Sequence, residues 1–249
     1  MEKFYFLLLT ISAVYATHFR YGLMTWAPVR NGTFSGSYYV VLALTTSWGW
    51  RNDFSSATTC NDSVIAGGQL MGASGPVYCI GCSASIISFT DTLMYCTAYS
   101  PASYQDWSFG YRTQNLTIYP VTTNIQLYFG GSYWQDLVPI VNANWTVKAR
   151  INLQPRSDNG LINTSPVTTS YPSYCIRQGF NYTIVIPMAD ANNDDLRCRW
   201  ADTTINDECG GICGIIKSIS TLTYTKGSAG YQCQLQFRGD IATYGKFIL

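Results

Sequence analysis

Hydrophobic and polar residues alternate with a period of two along much of the chain. The clearest run places Trp145, Val147, Ala149, Ile151 and Leu153 on one side, with Thr, Lys, Arg and Asn at the positions between them. Successive side chains of a β-strand point to opposite faces of its sheet, so this alternation predicts a half-buried strand.

Four further runs predict strands. Residues 125–129, 180–186 and 231–237 alternate in the same way, and residues 38–44 form an apolar run typical of a strand covered on both faces. Phe180 is expected on the apolar side of its run. Aromatic residues make up 15% of the chain, which suits pleated surfaces, and no stretch shows a sustained helical period with caps. The sequence therefore predicts an all-β fold.

The length of the chain favours two β-sandwiches over one. A chain of 249 residues is large for a single sandwich, and the polar, turn-rich residues 155–160 follow the strongest predicted strand. We predict a signal peptide at 1–16, a β-sandwich domain at 17–156 and a cadherin-like β-sandwich domain at 157–249. The predicted architecture is two tandem antiparallel sandwiches, immunoglobulin-like or cadherin-like.

The first residues predict export from the cell. A short polar start is followed by an apolar run of about 11 residues, too short to span a bilayer, and Val14 and Ala16 are small residues suited to cleavage after Ala16. The rest of the sequence shows neither a membrane span nor a lipid-anchor signal. The apolar end at Leu249 leaves open that the chain is a piece of a longer protein. We therefore expect a secreted protein or the ectodomain of a cell-surface protein.

Charge and glycosylation signals agree with that location. The net charge is +1 and only 12% of residues are charged, so nucleic acid and anionic lipid are not expected as partners. Six Asn-x-Ser/Thr acceptor sites are predicted to carry N-linked glycans: Asn31, Asn61, Asn115, Asn144, Asn163 and Asn181.

Nine cysteines indicate disulfides formed in an oxidising compartment. A zinc site at Cys79 and Cys82 would need further ligands, and the chain has a single His. The cysteines fall into a group of four, which can pair in three ways, and a group of five, which leaves one over. The first group is Cys60, Cys79, Cys82 and Cys96, and the second is Cys175, Cys198, Cys209, Cys213 and Cys233.

Several motifs together resemble a family of invertebrate secreted and cell-surface ectodomains. The segment 17–22 reads Thr-His-Phe-Arg-Tyr-Gly and leads to Trp26. Residues 79–82 (Cys-Ile-Gly-Cys), Cys96 and 106–110 (Asp-Trp-Ser-Phe-Gly) continue the pattern. Residues 197–201 (Arg-Cys-Arg-Trp-Ala) and 208–213 (Glu-Cys-Gly-Gly-Ile-Cys) are similar to the cadherin-like module that follows in that family. The resemblance implies an N-terminal ectodomain with a role in adhesion or recognition.

Two departures from that pattern affect the second half. The family's acidic loop reads Asp-Pro-Asp-Gly-Asp, whereas this chain has Asp-Ala-Asn-Asn-Asp at 190–194. A Cys of the family is missing near Ser220, which accounts for the odd cysteine count.

The acidic loop is a candidate calcium site. Asp190, Asn192 and Asp194 place three oxygen-bearing side chains at alternate positions, which suits a hard cation. The alternative, which the residues favour, is a solvated Asx-rich turn. No other cofactor is indicated.

Catalytic machinery is not evident. His18 is the only histidine, and its place beside the predicted mature N-terminus favours a structural role over catalysis. Arg197 and Arg199 could pair with a ligand carboxylate or simply cover neighbouring strands. Trp48 with Trp50, and Asp106 with Trp107, could form an aromatic platform for sugars or belong to the core.

These observations favour a non-enzymatic extracellular recognition or adhesion module that is disulfide-bonded, N-glycosylated and binds a protein or glycan partner. A secreted carbohydrate-binding lectin is the alternative. A secreted hydrolase using a carboxylate pair is a third hypothesis.

Overall fold

The computed structural model describes residues 19–34, 37–52, 57–72, 75–80, 82, 91–101, 106–119, 124–135, 143–171, 174, 176–214, 217–227 and 230–239. Regular structure in these residues is almost entirely β, arranged in antiparallel sheets, which confirms the predicted all-β class. The predicted signal peptide, His18 and Cys175 lie outside the described residues.

The largest sheet has five strands in the order β1-β2-β6-β5-β3, all antiparallel. The strands are β1 Phe19–Phe34, β2 Ser37–Trp50, β3 Leu70–Met71, β5 Met94–Ser100 and β6 Trp107–Ile118. The apolar run at 38–44 lies in β2, which is hydrogen-bonded to β1 along one edge and to β6 along the other.

A three-stranded sheet packs against the five-stranded one. Its strands are β4 Tyr78–Ile80, β7 Asn124–Gly131 and β8 Trp145–Asn152, in the order β4-β7-β8. Buried side chains from both sheets form one cluster centred on Phe19, whose ring stacks on Trp145 at 3.5 Å. The rings of Trp50 and Phe129 pack edge-on around it, at 5.0 Å from Phe19 and Trp145 respectively. Aromatic rings with this much buried area account for much of the stability of the sandwich.

The second half of the chain forms a four-stranded sheet. Its strands are β9 Val167–Thr168, β10 Asn181–Ala189, β11 Ser220–Gly227 and β12 Gly230–Arg238, in the order β11-β12-β10-β9. Ile184, Leu235 and Phe237 form a separate, smaller buried cluster on one face of this sheet, and Trp200 packs against it.

Helical structure in the described residues is limited to short segments between strands. Helix α1 spans Asp62–Ala66, and the Asn61 side chain caps it by accepting from the Val64 amide at 3.0 Å. Helix α2 spans Thr203–Asn206 with Asp202 as its cap, and a single 3-10 turn spans Gly210–Ile212.

The alternating pattern predicts the strand faces well, with one error. Trp145, Ala149 and Ile151 are buried as expected, and so are the apolar positions of β7 and most of those of β12. Phe180 was expected on the apolar side of its strand, and this prediction is wrong: the residue precedes β10 and its side chain is 60% exposed. The paired register of β10 with β12 begins at Asn181, and Phe180 lies just beyond it, where its carbonyl accepts from the Gly239 amide at 2.9 Å.

The predicted domain boundary at 156/157 falls in a tight turn. Pro155 bridges to Ile162, and the Arg156 amide donates to the Leu161 carbonyl at 2.8 Å. Ile162 is buried in the first cluster, and the Ser165 amide donates to the Trp26 carbonyl at 2.9 Å. Residues up to 165 thus pack on the first sandwich, and the division into two domains stays a prediction.

Candidate functional site

The outer face of the five-stranded sheet, turned away from the three-stranded sheet, carries a row of exposed apolar and aromatic side chains. Directly paired positions of all five strands form this tyrosine row: Leu70, Tyr95, Tyr111, Ser47 and Leu23. Tyr95 and Tyr111 are 45% and 52% exposed and Leu70 is 41% exposed. An exposed run of large side chains on one face is typical of a contact surface.

The tyrosine row continues into a cleft of about 570 Å³. Leu23 and Ser47 form one edge of this cleft, and residues 168–171, Tyr174 and two residues of β10 form the other. Five aromatic residues line it: Tyr21, Trp107, Phe109, Tyr171 and Tyr174. Five hydroxyl side chains also line it: Ser47, Thr97, Thr168, Thr169 and Ser170.

The aromatic rings of the cleft are arranged in two edge-to-face pairs. Tyr21 of β1 and Phe109 of β6, on either side of Gly49 of β2, have ring centroids 5.6 Å apart, and those of Tyr171 and Tyr174 are 5.9 Å apart. The Tyr174 hydroxyl lies 3.1 Å from the Ser170 hydroxyl and accepts from the Tyr171 amide at 3.3 Å. These contacts fix the orientation of the Tyr174 side chain.

Tyr21 is the most buried ring of the cleft, at 5% exposure. Burial raises the pKa of Tyr21 to about 12, with a smaller contribution from Tyr174, so the hydroxyl stays neutral at physiological pH. A neutral phenol can both donate and accept a hydrogen bond.

An ion-pair network lies behind the cleft. Asp106, directly before Trp107, accepts a hydrogen bond from Arg51 at 2.9 Å, and Arg20, directly before Tyr21, lies 3.9 Å from the same carboxylate oxygen. The Arg20 and Asp106 side chains are only 5% and 14% exposed. Arg20 of the motif at 17–22 and Asp106 of the motif at 106–110 therefore lie close together. The residues that follow them, Tyr21 and Trp107, line the cleft.

A glycine of the same motif permits close strand pairing. A Cβ on Gly110 would lie 2.0 Å from the Tyr95 carbonyl oxygen, where β5 has a bulge between Cys96 and Ala98. The obstructing atom belongs to the backbone, so any side chain at this position would separate β5 from β6.

The predicted calcium ligands meet in one hydrogen-bonded loop. The Asp190 carboxylate accepts from the Asn192 amide at 2.8 Å, and Asn192 Oδ1 accepts from Thr164 Oγ1 at 2.6 Å. Asp194 pairs with Arg156 at 2.6 Å. Protein donors thus engage all three side chains, and the described residues contain no group of three or more His, Cys, Asp or Glu side chains placed to hold a metal.

We expect calcium to leave the stability of the protein unchanged, because the three side chains already accept hydrogen bonds from Thr164, Arg156 and the loop backbone. A bound ion at 100 times its dissociation constant would add about 2.7 kcal/mol. Thermal unfolding with calcium and then with excess chelator measures this directly. A clear rise of Tm in calcium would show that the loop rearranges to bind the ion.

The segment 207–213 lies along the edge strand β8. The Gly211 amide donates to the Asn144 carbonyl at 2.8 Å, and Thr146 Oγ1 donates to the Asp207 carbonyl at 2.8 Å. Gly210 has a positive φ of 64°, and a Cβ there would lie 2.8 Å from the Asn144 oxygen. The glycine is therefore required twice, for backbone conformation and for close approach.

Glu208 links both halves of the chain at this contact. Its carboxylate accepts two hydrogen bonds from Arg199, at 2.6 and 2.7 Å, and lies 3.5 Å from Arg150 of β8. The bonds from Arg199 lower the pKa of Glu208 to about 2. Arg199 is thus engaged within the protein, and Arg197 pairs with Asp195 at 3.2 Å.

We expect this ion pair to make stability pH-dependent in acid. Because the pKa of Glu208 falls from 4.5 to about 2 on folding, its contribution is present above about pH 4.5 and is lost as the pH falls toward 2. Urea unfolding between pH 6 and 2 measures the loss, and Glu208→Gln should flatten the profile. Parallel profiles for the two proteins would contradict this assignment.

Among the described residues, four disulfides connect eight cysteines, and the ninth, Cys175, lies outside those residues. Cys60 pairs with Cys96 and Cys79 with Cys82 in the first half, while Cys198 pairs with Cys233 and Cys209 with Cys213 in the second. Every pair stays within its own predicted group. The structure thereby selects one of the three pairings that the first group allowed.

Five of the six predicted glycosylation sites have exposed side chains. Asn163 is half-buried and accepts a hydrogen bond from Arg156 at 2.7 Å. Asn115 lies on the outer face, four residues along β6 from Tyr111, and the tyrosine row itself contains no acceptor site. Glycosylation at these sites stays a prediction.

Of the two alternatives that the sequence left open for these Trp residues, packing in the core holds for Trp48 and Trp50. Trp48 and Trp50 are fully buried in the first cluster, because both point to the inner face of β2. Trp107 does line the cleft. Sequence reasoning did not find Tyr95, Tyr111, Tyr171 or Tyr174, since their grouping depends on strand register and on contacts between distant segments.

Comparison with known families gives one match. The family described as Integrin beta-like protein A-E, N-terminal, matches residues 20–154. No curated protein and no solved structure matches the chain. Among the described residues, no helix has the length and apolar character needed to cross a membrane.

The matched region contains the five-stranded sheet, the three-stranded sheet and the Arg20–Asp106 pair. It corresponds to the region in which the sequence predicted an N-terminal β-domain, whereas the cadherin-like resemblance of the second half lies outside it and stays a prediction. Because residues 20–154 are more than half of the chain, the protein belongs to the family of integrin beta-like proteins A to E.

Proposed function

We propose that this chain is a non-enzymatic extracellular adhesion module that contacts a protein or glycan partner through the outer face of its five-stranded sheet. The observation that carries the proposal is the tyrosine row, in which large side chains of adjacent strands remain exposed. The family name, integrin beta-like, supports a role in adhesion.

Several features support an extracellular location. Four disulfides are typical of an oxidising compartment. The predicted signal peptide and six acceptor sites agree with that compartment. A surface with few charges would then depend on glycans and neutral polar side chains for solubility.

The proposal of a binding function without catalysis is supported by how the acidic side chains are used. Asp106, Asp194 and Glu208 are each engaged by an arginine at hydrogen-bond distance. For Glu208 the pairing with Arg199 lowers the pKa to about 2, which makes this carboxyl a poor general acid at neutral pH.

We also propose that the two predicted domains act as one stiff unit. Contacts between the halves occur at the Arg156–Asp194 pair and along β8 at Asn144, Thr146 and Arg150. A stiff unit would hold the tyrosine row and the cleft in a fixed relation.

Beads coated with the secreted protein test this function. They should adhere to the surface of cells that express the protein's natural partners, and excess soluble protein should compete for that adhesion. Adhesion no stronger than that of albumin-coated beads would refute the proposal.

A further inference from the structure

The cleft beside the tyrosine row combines aromatic rings with hydroxyl groups and lacks charge. Within the described part of the chain, no Asp, Glu, Lys, Arg or His side chain lines it. Its volume of about 570 Å³ lies within the range of small-molecule sites, and such sites are often found between packed units. The lining disfavours anionic ligands, since it offers no cation to pair with them.

Polar groups in the cleft are available for a ligand. Tyr21 lines the cleft, and its neutral phenol hydroxyl can both donate to a ligand and accept from one. The Thr97 and Thr168 hydroxyls lie along the same lining and donate to the Phe109 and Pro187 carbonyls, at 3.4 and 2.9 Å. Their oxygens can still accept hydrogen bonds from a ligand.

Exposed ring surface completes the site. Tyr171 is 72% exposed at the rim, and Trp107 is half-buried in the lining. The faces of such rings attract C–H groups because they carry partial negative charge. A pyranose has one face rich in C–H groups and a periphery of hydroxyl groups, which matches rings beside hydroxyl side chains.

We propose that this cleft binds a neutral oligosaccharide, with Trp107 and Tyr171 as stacking surfaces and the Tyr21 hydroxyl as a hydrogen-bonding group. This proposal rests on the proposed function and deepens it by naming a ligand class for one end of the same face. A proline-rich peptide would also stack on aromatic rings. It has no N–H or O–H group to donate to the Thr97 and Thr168 hydroxyls, which already donate to backbone carbonyls and can only accept, so the saccharide fits better.

The test uses the full secreted chain on an array of neutral oligosaccharides of glucose, galactose, mannose and N-acetylglucosamine. Sialylated oligosaccharides and a decaproline peptide share the array. We expect binding to at least one neutral class and none to the sialylated or proline probes. Calorimetric titration of the strongest probe then gives its Kd.

Variants assign the binding to the cleft. Tyr171→Ala should weaken binding about tenfold, whereas Tyr171→Phe, which keeps the ring, should bind nearly as well as the wild type. Tyr78→Ala is the matched control, since Tyr78 is 50% exposed on the three-stranded sheet. Because Tyr171 is so exposed, its replacement should leave Tm unchanged.

Three outcomes would overturn the proposal: no neutral oligosaccharide binds, decaproline binds instead, or Tyr171→Ala and Trp107→Ala bind as the wild type does. Bead adhesion separates this failure from failure of the proposed function. If beads still adhere while no saccharide binds, only the ligand assignment is wrong.

Discussion

Replacing both Cys60 and Cys96 by alanine should destabilise the protein by about 4 kcal/mol. This disulfide closes a loop with a sequence separation of 36, and the stabilisation expected from chain entropy grows with loop length. Both residues are buried, and Cys96 lies on β5 directly opposite Gly110 of β6. Loss of the bond would therefore weaken the attachment of helix α1 and its neighbouring loop to the sheet. Native domains are typically stable by about 5–15 kcal/mol, so this is a large share.

Urea unfolding of the purified double variant measures the effect. The matched control is Cys79→Ala with Cys82→Ala, because that bond has a sequence separation of only 3 and should contribute about half as much. Equal losses for the two double variants would contradict the account based on loop length.

Replacing Asp106 by alanine should cost about 3–5 kcal/mol. The change removes the carboxylate that faces the buried Arg20 and accepts from Arg51, and truncating one partner of a buried ion pair is strongly destabilising. The loss should also disturb Trp107 and Tyr21, which directly follow the two paired residues in the sequence. Saccharide binding in the cleft should therefore weaken as well.

Asp195→Ala is the comparison for this variant. The Asp195–Arg197 pair is 54% and 78% exposed, and surface pairs of this kind contribute little to stability. Free energies of unfolding from urea titrations at neutral pH distinguish the two variants. If Asp106→Ala lost no more stability than Asp195→Ala, the buried network would have no structural role.

Local patterns predicted the strands because burial on one face leaves a direct period-two signal. The run from Trp145 to Leu153 shows this, since its apolar positions are all turned toward the first cluster. The same signal left two alternatives open for Trp48 and Trp50, which the structure places in the core. Their spacing around Gly49 indicates a shared face but does not say whether that face is the core or the surface.

The candidate site was harder to predict, because its residues come from distant parts of the chain. Arg20 and Asp106 belong to different motifs, and only the pairing of β1, β2 and β6 brings them together. Tyr95 and Tyr111 become neighbours through a register that includes a bulge. Tyr171 and Tyr174 reach Tyr21 through tertiary contacts for which the sequence has no local pattern.

The disulfide pairing and the acidic loop also depend on contacts between distant segments, which leave no local pattern in the sequence. Four cysteines allow three pairings, and the structure resolves them through the geometry of β5 and the loop before α1. The oxygens of Asp190, Asn192 and Asp194 suit calcium in sequence, but Thr164 and Arg156 satisfy two of these side chains from a segment about 30 residues earlier.

Binding of the Tyr95→Ser/Tyr111→Ser double variant to cells is the most direct test of the proposed adhesion surface. Both side chains are exposed, so the variant should keep its Tm while coated beads lose most of their adhesion. Tyr78→Ser, on the opposite sheet, should adhere as the wild type does. Full adhesion by the folded double variant would show that the outer face of the five-stranded sheet is not the contact surface.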